Sequence, residues 1–375
     1  MRTVLVHLAD QRRSRTDSHG IINFTLGLVG ALPAALAPDE RLVVHANDEI
    51  VDELDTSALR AQDELVVVPA PSGAVRRLLV DHVAAPRLAK RVGADVVLYP
   101  KGFLPVAPRR GGARPVPVVH DDIPARERED RSIPLRRRAR AAYFTALLRG
   151  SVRRGAPCLF VSGFTGDQVA ARWGAPPGGS AVVHEGITLP RVERLPLDDR
   201  APQVLVLGSP LAHKRTMAGL DLIAGDERLQ EELDRVVLVG WHDGSRRSVG
   251  RLALEHRPGP LSGLELARLM ASSRLLVYPS TYEGFGLPPI EALALGTPVV
   301  RRSTGAGEEV LPAVPGTFPD EDPAAFAAAV AAALALDDDA LAALAADVRA
   351  RFEWSAVARR VVAALRAPQP APEPA

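Results

Sequence analysis

Short runs of Val and Leu recur along the chain and are separated by longer segments rich in Ala, Leu and Arg with helical spacing. This alternation predicts β-strands linked by α-helices. Because the apolar runs are continuous rather than alternating, helices should cover both faces of each sheet, which favours parallel sheets. The predicted strands are residues 3–8, 41–45, 64–68, 95–99, 116–120, 158–162, 181–184, 203–207, 235–240, 252–256, 274–278 and 297–301.

A segment of prolines and charges without apolar period, residues 189–202, divides these strands into two series. We place the domain boundary there. The pattern therefore predicts an α/β protein of two doubly wound, Rossmann-like domains, 1–190 and 191–350, facing a central cleft. Residues 351–366 form a final predicted helix, and residues 367–375 alternate proline and are expected to be disordered. Ligands of such sheets bind at the carboxyl ends of strands.

Charge and cysteine content narrow the function classes. The 375 residues include 46 Lys+Arg and 45 Asp+Glu, a net charge of +1, whereas nucleic-acid binders usually carry a clear basic excess. The single cysteine, Cys158, cannot form an internal disulfide, which suits a reducing compartment. The N-terminus lacks the apolar core of a signal peptide, and no stretch reaches about 18 uncharged apolar residues. We expect a cytoplasmic protein without nucleic-acid partners.

The most informative stretch, residues 275–300, reads as a strand, a glycine-bearing loop, a helix and a further strand. Gly284 and Gly286 leave room for backbone N–H groups to approach a ligand. Glu283 lies in the loop and Glu291 in the first turns of the helix, so both carboxylates can face one cleft. Ionised carboxylates only accept hydrogen bonds, which favours sugar or ribose hydroxyls as partners. Taken singly, Glu291 could instead complement the helix dipole, and Glu283 could be a solvated loop residue.

This block, above all residues 280–300, resembles the signature of the retaining GT-B glycosyltransferases of glycosyltransferase family 4, in which two glutamates are separated by seven residues. The resemblance implies that Glu291 binds the ribose hydroxyls of a nucleotide and that Glu283 binds a hydroxyl of the transferred sugar. It also implies that backbone N–H groups hold the donor between them. Those groups belong to the residues around Phe285, Gly286 and Leu287.

A second block, residues 204–215, resembles the strand, glycine and basic loop of the same family. Gly208 follows the predicted strand, and the resemblance implies that Lys214 reaches the donor diphosphate. A lysine there can neutralise charge on the leaving group; alone, it could equally be a solvated charge. The family often has arginine before the lysine and asparagine after it, whereas this chain has His213 and Arg215. Arg215 is thus the nearest candidate for the second charge on the diphosphate.

Two weaker matches lie in the first half. Residues 19–24 resemble the family's glycine loop near the diphosphate and acceptor, where Gly20 would permit close backbone approach; an ordinary loop is the alternative. Residues 118–124 resemble a strand-ending His-Asp segment of mannosyltransferase-like members, which implies that His120 lines the sugar pocket. A satisfied structural histidine is the other interpretation. His184-Glu185 departs from the Pro-Asn that the family usually has before the glycine.

The resemblance implies a retaining, metal-independent hexosyltransferase that moves a sugar from a nucleotide-sugar donor, of the GDP-mannose or UDP-sugar type, to an acceptor hydroxyl. The nucleotide-sugar is a co-substrate, and no cofactor is expected. A metal is not expected because no Asp-x-Asp motif follows a strand. Two alternatives stay open: a non-catalytic GT-B scaffold, and an NAD-dependent oxidoreductase, which lacks the G-x-G-x-x-G motif after the first strand.

The acceptor is left open between a glycan, a lipid-linked glycan and a small molecule. Residues 135–154 form a predicted helix with many arginines. Such a helix could lie on an anionic membrane surface, which would place the protein at the inner face of the membrane. A solvated helix face is the other interpretation.

Overall fold

The computed structural model describes residues 1–12, 19–106, 112–154, 157–311, 314–319 and 322–367. The chain divides into two compact units, Met1–Gly186 with Phe352–Ala375, and Ile187–Arg351. The boundary between the two units, after Gly186, lies a few residues before the boundary predicted at residue 190. The tail expected to be disordered lies, apart from Ala367, outside the described residues.

The first unit is built on a seven-stranded sheet whose described strand pairs are all parallel. Its order is β3-β2-β1-β4-β5-β6-β7, so the strand order reverses between β1 and β4. The apolar centres of β1, β2, β4, β5 and β6 are buried, as expected for a sheet covered on both faces, whereas the edge strands β3 and β7 are partly exposed. The strands are β1 Arg2–His7, β2 Glu40–Asn47, β3 Glu64–Val68, β4 Val96–Tyr99, β5 Arg114–Val119, β6 Cys158–Phe160 and β7 Ser180–Val182.

The helices of the first unit begin and end where local chemistry favours it. The Ser162 side chain accepts a hydrogen bond from the backbone N–H of Thr165 and so caps one helix. Gly93, with a φ of 62°, ends another. The helices are α1 His19–Ala35, α2 Ala74–Leu79, α3 Ala85–Val92, α4 Ile123–Glu129, α5 Leu135–Arg153 and α6 Gly163–Trp173, and a π-helical segment, Val80–Ala84, joins α2 to α3.

The second unit repeats the layout with the order β10-β11-β9-β8-β12-β13-β14. Its pairs are parallel except that β10 runs antiparallel to β11 at the sheet edge. The sequence pattern missed β10 and β14, since two residues are too few to show an apolar period. The strands are β8 Ala201–Gly208, β9 Arg235–Gly240, β10 Ser248–Val249, β11 Leu252–Arg257, β12 Ser273–Tyr278, β13 Val299–Arg302 and β14 Thr317–Phe318.

The core of the second unit lies between the sheet and its helices. Alternate residues of the central strands, such as Val204, Val206 and Val277, are fully buried and pack in one cluster with Phe318 and Phe326. The helices are α7 Thr216–Gly225, α8 Glu227–Glu232, α9 Gly263–Ala271, α10 Leu287–Ala294, α11 Ala306–Val310, α12 Pro323–Leu334 and α13 Asp338–Arg351.

The last helix, α14 Trp354–Arg366, belongs to the first unit and packs against α1. The indole of Trp354 lies between two glycines: a Cβ added to Gly27 would be 2.1 Å from the ring, and one added to Gly186 would be 2.4 Å from it. Glycine at both places therefore makes room for the indole. Arg366 forms an ion pair with Glu40 and, as the main cause, lowers the pKa of that carboxyl.

No helix in the described part of the chain is both long and apolar enough to cross a membrane.

Candidate functional site

The strand order of the second sheet reverses between β8 and β12. From this pair, β9, β11 and β10 follow on one side, and β13 and β14 follow on the other. Doubly wound sheets bind ligands in the crevice at such a switch point, beyond the carboxyl ends of the strands. β8 ends at Gly208 and β12 ends at Tyr278. The two segments singled out in this half of the sequence follow these strands.

The loops that follow β8 and β12 are joined through the carbonyl of His213. This oxygen accepts hydrogen bonds from the backbone N–H of Thr281 at 2.8 Å and from its hydroxyl at 3.1 Å. The hydroxyl of Ser280 donates to the same oxygen at 3.2 Å. Because Lys214 is the next residue, these bonds fix its backbone beside the β12 loop.

Lys214, Tyr278 and Glu283 form one polar network at this switch point. The Lys214 ammonium donates to Glu283 Oε1 at 2.6 Å and to the Tyr278 hydroxyl at 3.2 Å. The Tyr278 hydroxyl in turn donates to Glu283 Oε1 at 2.6 Å. The side chains of Lys214 and Glu283 remain 24% and 17% exposed, so the charged ends lie at the surface of the crevice.

Tyr278 is the member of this network that the sequence analysis missed. Burial, then the negative charge of Glu283 and its hydrogen bond, and then the charge of Glu291 raise the pKa of Tyr278 well above its usual value. The phenol therefore stays protonated and can hold the carboxylate of Glu283 in place. The sequence offered only a weak signal, a tyrosine as the last residue of a predicted buried strand.

The second glutamate lies in α10, behind a glycine turn. Gly286 caps this helix with a φ of 89°, a conformation that favours glycine. Of the first three helical positions only Leu287 has an amide proton, because Pro288 and Pro289 follow it. Glu291 is half-buried, and its charge acts on the Tyr278 hydroxyl. The structure thus places both signature glutamates around one tyrosine.

The remaining predicted residues of this unit differ in what they can offer. Gly208 is required by packing, since a Cβ there would be 2.1 Å from the carbonyl oxygen of Trp241. Gly284 and Phe285 are buried, so they could offer a ligand little beyond their backbone. Arg215 is exposed and starts α7 with a φ of 50°, in the left-handed region.

The first unit contains two of the predicted residues, Gly20 and His120. Gly20 is the second residue of α1, inside the first helical turn, and residues 13–18 before it are outside the described part. His120 is buried, with Nδ1 2.7 Å from Glu185 Oε1 and Nε2 2.8 Å from the carbonyl oxygen of Pro100.

Both ring nitrogens of His120 are thus engaged within the protein. Burial lowers its pKa, but the hydrogen bond and charge of Glu185 outweigh that and raise it. This arrangement fits the structural interpretation of His120, and the contact with a sugar stays a prediction. Glu185, at the position where the sequence departs from the family, turns out to be the partner of the histidine.

Two further expectations concern ions and membranes. Among the described residues, no group of three or more His, Cys, Asp or Glu side chains could hold a metal ion. A reaction without a metal stays a prediction. In α5, Arg136, Arg140 and Arg149 are exposed, while Leu148 and Val152 are buried. Membrane contact through this helix likewise stays a prediction.

Comparison with known proteins gives a family match and partial relatives. Residues 202–336, which contain the network and Glu291, match the model of the family Glycosyl transferases group 1. A D-inositol 3-phosphate glycosyltransferase from Xylanimonas cellulosilytica is 36% identical over 182 residues, 44% of this chain and 42% of the relative. An O-antigen chain mannosyltransferase from Salmonella typhimurium is 27% identical over 175 residues, 45% and 48% of the two chains. The chain spans less than half the length of these curated relatives.

Among solved structures, a sucrose-phosphate synthase from Thermosynechococcus elongatus aligns with a TM-score of 0.62 at 18% identity. The alignment covers 97% of this chain and 98% of that one. At this identity the likeness shows the fold alone. It confirms the GT-B class predicted from the sequence.

Proposed function

We propose that the protein is a glycosyltransferase, because residues 202–336 match the model of Glycosyl transferases group 1 and the sequence resembles a glycosyltransferase family. It would move a sugar from a nucleotide-sugar donor to an acceptor hydroxyl. The observation that carries this proposal is the network of Lys214, Tyr278 and Glu283 at the switch point of the second sheet.

The charges around the crevice suit the parts of such a donor. A diphosphate needs cationic or N–H partners, and the Lys214 ammonium and the Leu287 amide are of that kind. Hydroxyl groups of a sugar or ribose need acceptors, which Glu283 and Glu291 provide. We assign Glu291 to the ribose and Glu283 to the transferred sugar. The Lys214 ammonium, which donates a hydrogen bond to Glu283, would then also donate a hydrogen bond to the diphosphate.

The reaction proposed for this site retains the anomeric configuration. The sugar–phosphate bond breaks through an oxocarbenium-like state while the acceptor hydroxyl attacks the same face. The departing phosphate oxygen takes the proton of the acceptor, so no side-chain base is assigned. Lys214 and nearby N–H donors stabilise the charge that develops on the diphosphate, and such contacts are stronger in a crevice with little water. No metal is assigned to this reaction.

The first unit contributes less to this assignment. With both nitrogens bonded to Glu185 and Pro100, His120 can reach a sugar hydroxyl only if one of these bonds is exchanged. Gly20 is kept as a backbone contact near the diphosphate. Some of the relatives are named mannosyltransferases and others D-inositol 3-phosphate glycosyltransferases, so the proposed donor stays open between GDP-mannose and UDP-sugars.

The test begins with donor binding. Thermal melts of the full chain with GDP-, UDP-, ADP- and dTDP-sugars should show stabilisation by one of them, since a ligand at 100 times its Kd adds about 2.7 kcal/mol. Release of the nucleoside diphosphate with transfer to an acceptor would exclude a non-catalytic scaffold. Failure of every sugar nucleotide to stabilise the protein would contradict the proposal.

A pair of matched variants locates the donor. Glu291→Gln keeps the shape of the side chain but replaces the carboxylate by an amide, and should weaken donor binding by about tenfold. Glu231→Gln makes the same change at an exposed position at the end of α8 and should leave binding unchanged. Equal donor affinity in the two variants would remove Glu291 from the site.

A further inference from the structure

The second unit has a groove on one face of its sheet, with a volume of about 650 Å³. The groove runs along α9 and the segment that precedes β8, and Gln203, Arg235 and Arg257 line it from β8, β9 and β11. Of the residues that the structure describes, no member of the network at the switch point lines it. The groove is therefore a second candidate site, and its volume is within the range of about 300–1,000 Å³ that is typical of small-molecule sites.

The topology of the sheet explains why this face is open. Side chains alternate between the two faces of a strand, and Val236 and Leu238 of β9 belong to the core cluster of the second unit. Arg235 therefore lies on the opposite face, and the register of β9 with β11 puts Glu255 and Arg257 on that face as well. Between β9 and β11 the described chain forms the short strand β10 and no helix. No crossover helix thus covers these charged side chains.

Arg235 is held in the groove by a neutral partner. Its Nε donates to Gln203 Oε1 at 3.0 Å, and the buried Gln203 donates through Nε2 to Ser273 Oγ at 3.0 Å. Glu255 is less well placed to neutralise this arginine, because its Oε2 is 3.9 Å from Arg235 Nε while its Oε1 accepts a hydrogen bond from Arg257 at 2.7 Å. Among the described residues, the other two nitrogens of Arg235 have no hydrogen-bond partner. The guanidinium group is oriented, and these nitrogens can donate to a ligand.

Two further guanidinium groups in the groove have no counter-charge. Arg268 lies on α9 and Arg191 precedes β8; both are exposed, and within the described part of the chain neither side chain forms a hydrogen bond or an ion pair. Glu265, one turn before Arg268, is engaged in the capping box of its own helix, where Oε2 accepts from the Ser262 N–H at 2.8 Å. Arginines gathered in this way attract anions, and their planar groups match the oxygens of a phosphoryl group.

The other lining groups decide the class of anion. Glu193 lines the groove and has no partner among the described residues. Its carboxylate would repel a continuous polyphosphate chain but can accept hydrogen bonds from hydroxyl groups. No aromatic side chain of the described residues lines the groove, so the base of a nucleotide would find no ring on which to stack. A phosphoryl group attached to a polyhydroxylated body satisfies both the arginines and the carboxylate.

We propose that this groove binds a phosphorylated sugar, with phosphoryl groups on Arg191, Arg235 and Arg268 and a hydroxyl group on Glu193. This ligand is distinct from the nucleotide-sugar donor, whose assigned residues follow the carboxyl ends of β8 and β12. The inference goes beyond the proposed function and does not depend on it.

Calorimetry with fructose 1,6-bisphosphate tests this site on the full chain, in a phosphate-free buffer of low ionic strength that limits screening. The wild type should bind the probe with a Kd below about 1 mM. Arg268→Gln and Arg191→Gln each remove one unpaired charge and should weaken binding by at least about tenfold, because hydrogen bonds to charged groups are the stronger ones. Arg251→Gln makes the same change at an exposed position of the second unit that does not line the groove, and should bind as the wild type does.

Two results overturn the proposal directly: binding by the wild type that is weaker than about 1 mM, and equal affinities of Arg268→Gln and Arg251→Gln. Inorganic phosphate and fructose serve as the separate parts of the probe, and each should bind more weakly than the bisphosphate. Equal affinity for inorganic phosphate would make the groove a site for an adventitious ion only and would remove the sugar from the proposal.

Lys214→Ala distinguishes the groove from the donor site. This variant should bind fructose 1,6-bisphosphate as the wild type does. Loss of that binding would place the probe on the lysine assigned to the diphosphate and would overturn the inference. Failure of every sugar nucleotide to bind the wild type would contradict the glycosyltransferase proposal and leave the groove site standing.

Discussion

Replacing Gly27 by alanine tests how closely the final helix is docked on α1. In a helix interior, alanine is more favourable than glycine by about 0.5–1 kcal/mol. At Gly27, however, the new Cβ would be 2.1 Å from Cε2 of Trp354. Gly30, in the same helix, offers the matched control, because the nearest atom to a Cβ there is 4.0 Å away, on Asp55.

The gain in helix propensity and the clash with Trp354 affect stability in opposite directions, and their relative sizes decide the outcome. Forcing an atom into a well-packed place costs about 1–3 kcal/mol, which exceeds the helix-propensity gain over most of that range. Gly27→Ala should therefore destabilise the first unit, whereas Gly30→Ala should stabilise it by about 0.5–1 kcal/mol. For a unit of this size, each kcal/mol shifts the Tm by about 2–4 °C.

Thermal melts of the two single variants measure this difference, and Trp354→Ala supplies the second axis of a double-mutant cycle. With the indole removed, Gly27→Ala should become as stabilising as Gly30→Ala. The reasoning is refuted if Gly27→Ala stabilises the wild-type chain, or if it remains destabilising when Trp354 is alanine.

Three further outcomes are expected. Lys214→Met should lower kcat/KM for sugar transfer, measured by nucleotide release, by about 10²–10³-fold. Lys90→Met, at an exposed position, should leave it unchanged. Equal kcat/KM values in the two variants would show that Lys214 has no part in catalysis. Tyr278→Phe removes the hydrogen bond to Glu283 and should lower kcat/KM by about three- to tenfold, and unchanged kinetics would contradict its positioning role. Burial is the main cause that lowers the pKa of His45 from 6.5 to about 3. As the pH falls from 6.5 to about 3, the unfolded chain therefore binds a proton at His45 that the folded chain does not bind, and the free energy of unfolding decreases. His45→Gln should flatten that dependence in melts at several pH values, and an unaltered slope would speak against it.

Much of the candidate site was predictable because its parts are local in sequence. The spacing of Glu283 and Glu291 follows from one loop and one helix, and Lys214 follows a strand that its apolar run already marks. The rule that ligands bind beyond the carboxyl ends of parallel strands then brings these segments together. Several predicted strands nevertheless extended past the observed ends: His120 and Ser162 directly follow apolar runs but lie beyond the last residues of β5 and β6.

By itself, the sequence determined the alternation of strands and helices, the two sheets and the loops that carry charge, since these depend on apolar periodicity and short-range spacing. Only the tertiary structure decided which side chains meet. Tyr278 is hydrogen-bonded to Lys214, which lies 64 residues away in the sequence, and Glu185 is hydrogen-bonded to His120, which lies 65 residues away. Such contacts depend on packing in three dimensions, where a difference of an ångström decides whether a hydrogen bond forms.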